Sequence, residues 1–409
     1  MNRGRRLALG ALLAVIGPGL LAGLSDDDPA GITTYSVLGA EHGYAFLWVL
    51  ALSTGALIVF HGLGARMGVV TGQGLIGLVR QRFGVGPAGL ALLALVVANI
   101  GTTVAEFAGI AAGGELFGVP RAISVPVAAV GVSLLVLRGS FHRIEHVLIA
   151  VSAVFVAYVI SGILAHPDWG AAARGLVVPT LPTSRDAIVI VTATLGTTLA
   201  PWGLSFIQSY AVDKRLRIDD LPLERVDVVT GATLTGVIGF FVVVACAATL
   251  WRNGQSIDTA ADAARALEPL AGDLAGKLFG LGLVGAALLA ASILPLSTSY
   301  SVCEYLGSEA ALDDRFSEAR PFYITYGVVV SVAAAVILLP GAPLVTILVA
   351  TQVLNAVLLL PLLVFMVRVG RDAELMGAHR ISDRGLALYT ATITLVFVCV
   401  AALAIVSVG

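Results

Sequence analysis

Apolar runs of about twenty residues recur along the whole sequence, the length that a helix needs to cross a bilayer, and short polar breaks separate them. The pattern predicts eleven membrane spans, at residues 8–40, 44–65, 86–113, 121–138, 144–165, 186–212, 226–250, 274–302, 322–339, 343–367 and 385–408. No polar stretch between them is long enough to form a separate soluble domain. The sequence therefore predicts an all-α polytopic membrane protein with a single transmembrane domain over residues 1–409.

Composition agrees with this interpretation, because 58% of the 409 residues are hydrophobic, 12% are charged and the mean hydropathy is +0.97. The N-terminus is basic and then apolar, as in a signal peptide, but no small-x-small cleavage site precedes a soluble body. It is interpreted as the first membrane helix. The net charge of −2 gives no reason to expect a nucleic acid partner, so the expected surroundings are the lipid bilayer. Cys246, Cys303 and Cys399 are isolated and predict neither a disulfide nor a metal box.

Basic residues indicate the orientation, because positively charged loops stay on the cytoplasmic side. With the N-terminus inside and eleven spans, the cytoplasmic segments hold 18 of the 24 Lys and Arg residues. The external segments hold Arg121, Arg174, Arg185, Arg252, Arg265 and Lys277. The sequence thus predicts a multi-pass protein of a bacterial plasma membrane, with a cytoplasmic N-terminus and an external C-terminus.

Three consecutive acids, Asp26, Asp27 and Asp28, interrupt the first predicted span. Facing lipid they would cost on the order of 10 kcal/mol in total. Pro29 and Gly31 follow at once and favour an unwound backbone, which membrane proteins tolerate only where it is buried in protein or lines a wet cavity. A substrate cavity is the favoured interpretation. The alternative is a solvated loop between two short helices, which would add a span and reverse the pattern of basic residues.

A second break, in the sixth span, argues against the loop. The stretch TATLGTTLAPWGLSFIQSY places Gly196, Thr197, Pro201 and Gly203 inside an apolar run. Each break is followed by four further spans, and unwound segments at corresponding positions of two five-span halves are typical of inverted-repeat transporters. The prediction is a leucine-transporter-type fold of 5+5 helices, with helices 1 and 6 broken. Repeat one spans about 8–165, repeat two about 186–367, and an extra helix about 385–408.

The residue types at the two breaks favour a cation. Carboxylates beside free backbone carbonyls suit hard divalent ions such as Mg²⁺, Mn²⁺ or Ca²⁺, and neither break contains Met, Cys or His. The ion is expected as cargo, and no cofactor is predicted. An enzyme is not expected, because no nucleophile–base pair or HExxH motif accompanies the acids.

The two breaks resemble those of the NRAMP divalent-metal transporters. The stretch GPGLLAGLSDDDPAG is similar to that family's first-helix signature, with Asp28 at the position of its aspartate. GTTLAPW resembles the sixth-helix motif, and the stretch from Gln352 to RDAELMG resembles the tenth helix. The resemblance covers residues 15 to 380. It implies metal transport, with Asp28 as a ligand.

Several positions depart from the usual family motifs. Gly31 stands where the family has a metal-binding Asn, Ala200 where it has a metal-binding Met, and Trp202 where it has a His. In the third span GTTVAEFAG keeps one acid, Glu106, and has Thr103 in place of the other. This pattern resembles the NRAMP-related magnesium transporters, and the resemblance implies Mg²⁺ and Mn²⁺ transport without proton coupling. Loss of the two larger side chains is expected to enlarge an oxygen-lined cavity for a partly hydrated ion.

The candidate residues form two groups. The expected metal site consists of Asp28, Asp27, Gly31, Thr197 through its carbonyl, and Ala200. The expected ion pathway contains Asp26, Glu106, Gln352, Thr103 and Trp202. For Asp26 and Asp27 three roles stay open: a carboxylate behind the ligands, the cavity entrance, or the cap of the second half-helix.

These features predict a monomeric secondary transporter that imports Mg²⁺ or Mn²⁺ by alternating access, without proton coupling. One alternative is a proton-coupled Mn²⁺/Fe²⁺ importer. Another is a carrier of organic solutes with the same fold, in which half-helix N-termini hold a substrate carboxylate. Three acids beside the first break argue against an anion at that place.

Overall fold

The computed structural model describes residues 26–137, 156–308 and 317–408, and within these ranges all regular structure is helical. The first half of the chain contains α1 (Pro29–His42), α2 (Leu47–Thr71), α3 (Leu75–Phe83), α4 (Val85–Leu116), α5 (Arg121–Leu137), α6 (Val156–Leu164), α7 (Trp169–Val177) and α8 (Arg185–Thr198). The second half contains α9 (Pro201–Asp213), α10 (Leu221–Thr249), α11 (Ala260–Ala264), α12 (Glu268–Ala271), α13 (Ala275–Leu306), α14 (Arg320–Ile337), α15 (Leu344–Arg371), α16 (Ala373–Met376) and α17 (Asp383–Val408). Single 3₁₀ turns lie between several of the later helices.

The observed helices coincide with the predicted spans wherever both can be compared. Eight helical segments of the described ranges are long and apolar enough to cross a membrane, and α5 is a shorter apolar helix. The first part of the first span, with the GPG stretch, lies outside the described residues, as does the first part of the fifth span. The all-α prediction is confirmed.

Two predicted spans are interrupted where the sequence indicated. Asp26, Asp27 and Asp28 precede α1 in non-helical conformation and are only 1%, 2% and 4% exposed. A solvated loop at this place is therefore excluded. In the sixth span, Leu199 and Ala200 separate α8 from α9.

The two interrupted helices lie at the centre of the bundle. The α8–α9 segment is almost entirely buried, whereas α17 is peripheral. Helix α1 packs against α4, α8, α10 and α15, and α8 also packs closely along α15. At Gly196 the two backbones meet, because a Cβ there would overlap the Gln352 carbonyl oxygen. Close helix approach through small residues is the usual packing mode in membranes.

Gly196→Ala is expected to destabilise this contact. A Cβ pressed against the backbone of α15 should cost about 1–3 kcal/mol and lower the thermal unfolding midpoint in detergent. Gly327→Ala in α14 is the control, because a Cβ at that position meets nothing within 4 Å. Equal unfolding midpoints for the two variants would contradict the backbone contact.

Five α-helices of the described ranges lie outside the predicted spans, and the two longest of them, with nine residues each, were missed. One is α7, which begins after the N-cap Asp168, and the other is α3, which lies between α2 and α4.

The Glu304 carboxylate at the end of α13 accepts hydrogen bonds from the Ile76 and Gly77 amides of α3, at 3.1 and 3.4 Å. It also accepts one from Ser209 Oγ of α9, at 2.7 Å. No local pattern in the sequence predicts these contacts, because they join residues between 95 and 228 positions apart.

Candidate metal-binding site

Asp28 ends the first break and begins α1. Its backbone is extended, with φ −73° and ψ 169°, and its carboxylate Oδ1 accepts a hydrogen bond from the Gly31 amide. Pro29 occupies the first helical position, where its missing N–H costs nothing. Of the three acids it is therefore Asp28 that caps the half-helix, and the capping role left open for Asp26 and Asp27 is not observed.

The sixth-helix break frees a backbone carbonyl. In a continuous helix the Thr197 carbonyl would accept a hydrogen bond from the residue four positions later. That residue is Pro201, which has no N–H and starts α9. The Ala200 carbonyl, by contrast, accepts the Gly203 amide at 3.1 Å. Because Pro201 has no N–H, the Thr197 carbonyl at this break has no helical hydrogen-bond donor.

Oxygens from both breaks converge at Gly31. A Cβ built on this residue would lie 2.6 Å from the Asp26 carbonyl oxygen, and 3.2 Å from both Asp28 Oδ1 and Thr197 Oγ1. The convergence brings α8 to the N-terminus of α1 and joins the two breaks in one site. This arrangement differs from the enlarged cavity that the sequence predicted. Oxygen atoms of neighbouring residues lie in the space that a side chain at position 31 would fill.

Four acids cluster at this site. Asp26 and Asp27 are fully buried, and none of their four carboxylate oxygens has a hydrogen-bond partner. The Glu106 carboxyl of α4 is 0% exposed and faces the Asp28 carboxyl. Within the described ranges none of the four forms an ion pair. Buried like charges repel one another strongly unless protons or a cation neutralise them.

The donor set indicates how a cation could be held. Among the described residues, no group of three or more acidic, His or Cys side chains is arranged to hold a metal ion. The further oxygen donors that could bind a cation together with these carboxylates are the Thr197 carbonyl, the Thr197 hydroxyl and water. Such a mixed oxygen set suits a hard divalent ion that keeps part of its water shell.

The other predicted pathway residues divide between the site and the scaffold around it. Gln352 is 1% exposed, its backbone carbonyl contacts Gly196, and its Nε2 has no partner. Its Oε1 accepts a hydrogen bond of 2.9 Å from Asn355. Thr103 is buried, but its hydroxyl donates to the Asn99 carbonyl of its own helix at 2.6 Å. Gln352 therefore borders the site, while the Thr103 hydroxyl is engaged elsewhere.

Ala200 and Trp202 contribute apolar surroundings. Both belong to a buried cluster that also contains Ala30 of α1 and Phe206 of α9. Trp202 is 1% exposed, its ring centroid lies 6.1 Å from that of Phe206, and its indole Nε1 has no partner. Through Ala30, this apolar cluster lies next to Gly31 in the chain.

One buried residue near the site was missed. His61 of α2 is 1% exposed, and neither ring nitrogen has a hydrogen-bond partner. A Cβ built on Gly203 would lie 3.2 Å from His61 Nε2 and 3.7 Å from Asp26 Oδ1, so both groups face the same place. The predicted site residues include no histidine. The available signal was the position of His61 inside the span predicted at 44–65.

A hydroxyl chain ties the broken helices together, and it was also missed. Thr198 Oγ1 lies 3.0 Å from Tyr35 Oη of α1 and accepts a hydrogen bond of 3.2 Å from Ser53 Oγ of α2. It donates to the Thr194 carbonyl at 2.8 Å. The end of α8 is thereby held against α1, beside the place where the oxygens converge.

Sequence comparison identifies a family over nearly the whole chain. Residues 19–407 match the family described as natural resistance-associated macrophage protein-like, or Nramp. The divalent metal cation transporter MntH of Burkholderia ambifaria is 28% identical over 92% of this chain and 85% of its own. MntH of Yersinia enterocolitica is 28% identical over 89% of this chain and 88% of its own. The relatives are transporters, not enzymes.

Solved structures share the fold. A manganese transporter of Eremococcus coleocola superposes with a TM-score of 0.75 at 17% identity, covering 96% of this chain and 87% of the other. MhsT in complex with L-phenylalanine superposes with a TM-score of 0.61 at 18% identity, covering 98% of each chain. These likenesses confirm the predicted leucine-transporter-type fold with an inverted repeat. The match over residues 19–407 shows that this chain belongs to the Nramp family.

Proposed function

We propose that this chain is a secondary transporter that imports Mg²⁺ and Mn²⁺ by alternating access, without coupling to protons. The observation that carries the proposal is the cluster of buried acids beside the freed Thr197 carbonyl, at the meeting point of two half-helices. Asp28 is the central ligand, with Thr197 opposite and Asp27 nearby. Gly31 and Ala200 shape the site, and water completes the shell.

The choice of ion follows from the ligand types. Asp28 and the Thr197 carbonyl are hard oxygen donors, and Ala200 supplies no thioether to favour softer metals. The relatives named as divalent metal and manganese transporters support a divalent cargo. His61 would add a nitrogen donor near Asp26, which Mn²⁺ accepts more readily than Mg²⁺. Both ions are therefore proposed as cargo.

The direction of transport follows from charge and potential. An inside-negative potential contributes roughly 2.3 kcal/mol per charge per 100 mV to the uptake of a cation. We propose the orientation that the basic residues predict, with the N-terminus cytoplasmic and the C-terminus external, in a bacterial plasma membrane. Repeat one at about 8–165 and repeat two at about 186–367 would move against each other, with the helix at about 385–408 outside both repeats. The proposed unit is a monomer.

A second candidate is a proton-coupled Mn²⁺/Fe²⁺ importer. The observation in its favour is Glu106, which is buried and faces Asp28. An intramembrane acid of this kind can carry a proton along the route of the metal. Against it stand Thr103 and Trp202, at positions where the usual family motifs have an acid and a histidine.

Liposomes containing the purified protein distinguish these candidates. With an inside-negative potential, external Mg²⁺ and Mn²⁺ are expected to enter while the pH of the lumen stays constant. Protein-free liposomes and the Glu106→Gln variant are the controls. The variant is expected to keep voltage-driven uptake, because its neutral amide removes a proton carrier and leaves Asp28 intact. Acidification of the lumen that requires metal and is lost in Glu106→Gln would overturn the uncoupled mechanism.

A further inference from the structure

A cavity of about 430 Å³ lies between α2, α10 and α17, away from the metal-binding site. Its polar wall consists of Arg66 of α2, Glu224 and Arg225 of α10, and Tyr389 of α17. The remaining lining is apolar and includes Val229 and Leu388. These residues have no role in the proposed metal transport.

Glu224 is the most unusual group of this cavity. It is 1% exposed, yet neither carboxylate oxygen has a hydrogen-bond partner. On the opposite wall, Arg66 also has a buried Nε without a partner, and its guanidinium lies beside the Tyr389 hydroxyl. Buried charged groups are normally paired or hydrogen-bonded. The cavity therefore offers one negative and one positive position to a ligand that carries both charges.

The cavity opens toward the surface that lipid covers. Leu388 and Val229 line it and are 54% and 39% exposed, and the neighbouring Val226 is 54% exposed. Apolar side chains exposed on a membrane helix contact acyl chains. Arg66 lies near the C-terminal end of α2, and Arg225 and the adjacent Arg384 lie near the N-terminal ends of α10 and α17, where lipid headgroups are expected. The polar wall thus lies at headgroup level and the apolar wall beside the acyl chains.

We propose that this cavity binds the headgroup of an aminophospholipid such as phosphatidylethanolamine. The lipid ammonium would donate hydrogen bonds to the Glu224 carboxylate, and the phosphate would accept them from Arg66 and Arg225. Phosphatidylglycerol has the phosphate without the ammonium. Phosphatidylcholine has a quaternary ammonium that carries no N–H. Glu224 is therefore the group that selects among lipids, and the arginines bind the phosphate that all three share.

Native mass spectrometry of the full-length protein, in mixed micelles with equal amounts of the three lipids, tests the proposal. Wild type is expected to retain phosphatidylethanolamine about ten-fold or more over the other two, the effect of one hydrogen bond to a charged group. Glu224→Gln should remove this preference and leave phosphatidylglycerol binding unchanged. Glu374→Gln is the matched control, because its side chain is 81% exposed and it removes the same charge.

A second variant keeps the test decisive if Glu224→Gln folds poorly. Arg66→Gln is expected to lower the retention of all three lipids together, because it removes a contact to their common phosphate. Equal retention of the three lipids by wild type would overturn the proposal, as would a preference that survives Glu224→Gln. Soluble glycerophosphoethanolamine is the final arm of the experiment. If it displaced the lipid at equal concentration, the ligand would be a free phosphoethanolamine compound, and the assignment to a membrane lipid would be wrong.

Discussion

Asp28→Asn is expected to abolish uptake of both Mg²⁺ and Mn²⁺ into liposomes, with a loss of roughly 100-fold or more, the upper range for lost support of a metal ligand. The substitution removes the charge of the central ligand of the proposed site. It should leave the fold intact, because Asn caps a helix N-terminus as well as Asp does and its side-chain oxygen can still accept the Gly31 amide. The change therefore separates the ligand role of Asp28 from its structural role.

Asp383→Asn is the matched control for this experiment. It makes the same chemical change at the start of α17, where the Asp383 side chain is 94% exposed and pairs with Arg371 at 3.1 Å. Exposed ion pairs contribute little to stability, so transport should be unchanged. Uptake by Asp28→Asn at the rate of Asp383→Asn would remove Asp28 from the site.

Gly31→Ala is expected to impair transport nearly as severely. The added Cβ would lie 2.6 Å from the Asp26 carbonyl oxygen, so at least one of the surrounding oxygens must move. Overpacking of this kind costs about 1–3 kcal/mol, which corresponds to about a five- to 150-fold loss of metal affinity. Metal uptake at several external Mn²⁺ concentrations should show the loss mainly as a higher half-saturating concentration.

Gly55→Ala in α2 controls for the general effect of replacing a helical glycine, since a Cβ there meets nothing within 4 Å. It should transport as wild type. If Gly31→Ala did so too, the close approach of oxygens at Gly31 would have no part in metal binding. Thermal unfolding of both variants shows whether an observed loss reflects the site or the fold.

Much of the architecture could be predicted because the bilayer imposes a simple rule on the chain. A helix must be about twenty apolar residues long to cross it, so the spans could be read from hydropathy. An acid or a proline at membrane depth is energetically costly unless the surrounding protein accommodates it, so Asp26–Asp28 and Pro201 indicated the two breaks. The relation between the breaks followed from counting the spans that separate them.

The detailed site could not be predicted, because it depends on contacts between distant helices. No local pattern indicates that Thr197 Oγ1 approaches Gly31, or that Glu106 faces Asp28. The absence of a side chain at position 31 indicated more space, but the Asp26 carbonyl oxygen lies in that space. His61 stands in an apolar run with no sequence neighbour of similar chemistry, so its position beside Asp26 became apparent only from the fold.

The site and the hydroxyl chain beside it connect local sequence to the proposed transport cycle. Pro29 and Pro201 each start a half-helix, and the end of α8 meets the start of α1 at Gly31. Thr198 links α8 to Tyr35 and Ser53 at the same level. A cation between the breaks would therefore neutralise the acids and join the two half-helix pairs at once, which is the coupling that alternating access requires.

The location of a bound ion tests this account most directly. Crystals of the full-length protein grown with Mn²⁺ allow the ion to be placed by its anomalous scattering. We expect one strong peak between the Asp28 carboxylate and the Thr197 carbonyl, absent in Asp28→Asn. A peak elsewhere with none at Asp28, in protein that transports Mn²⁺, would contradict the proposed site.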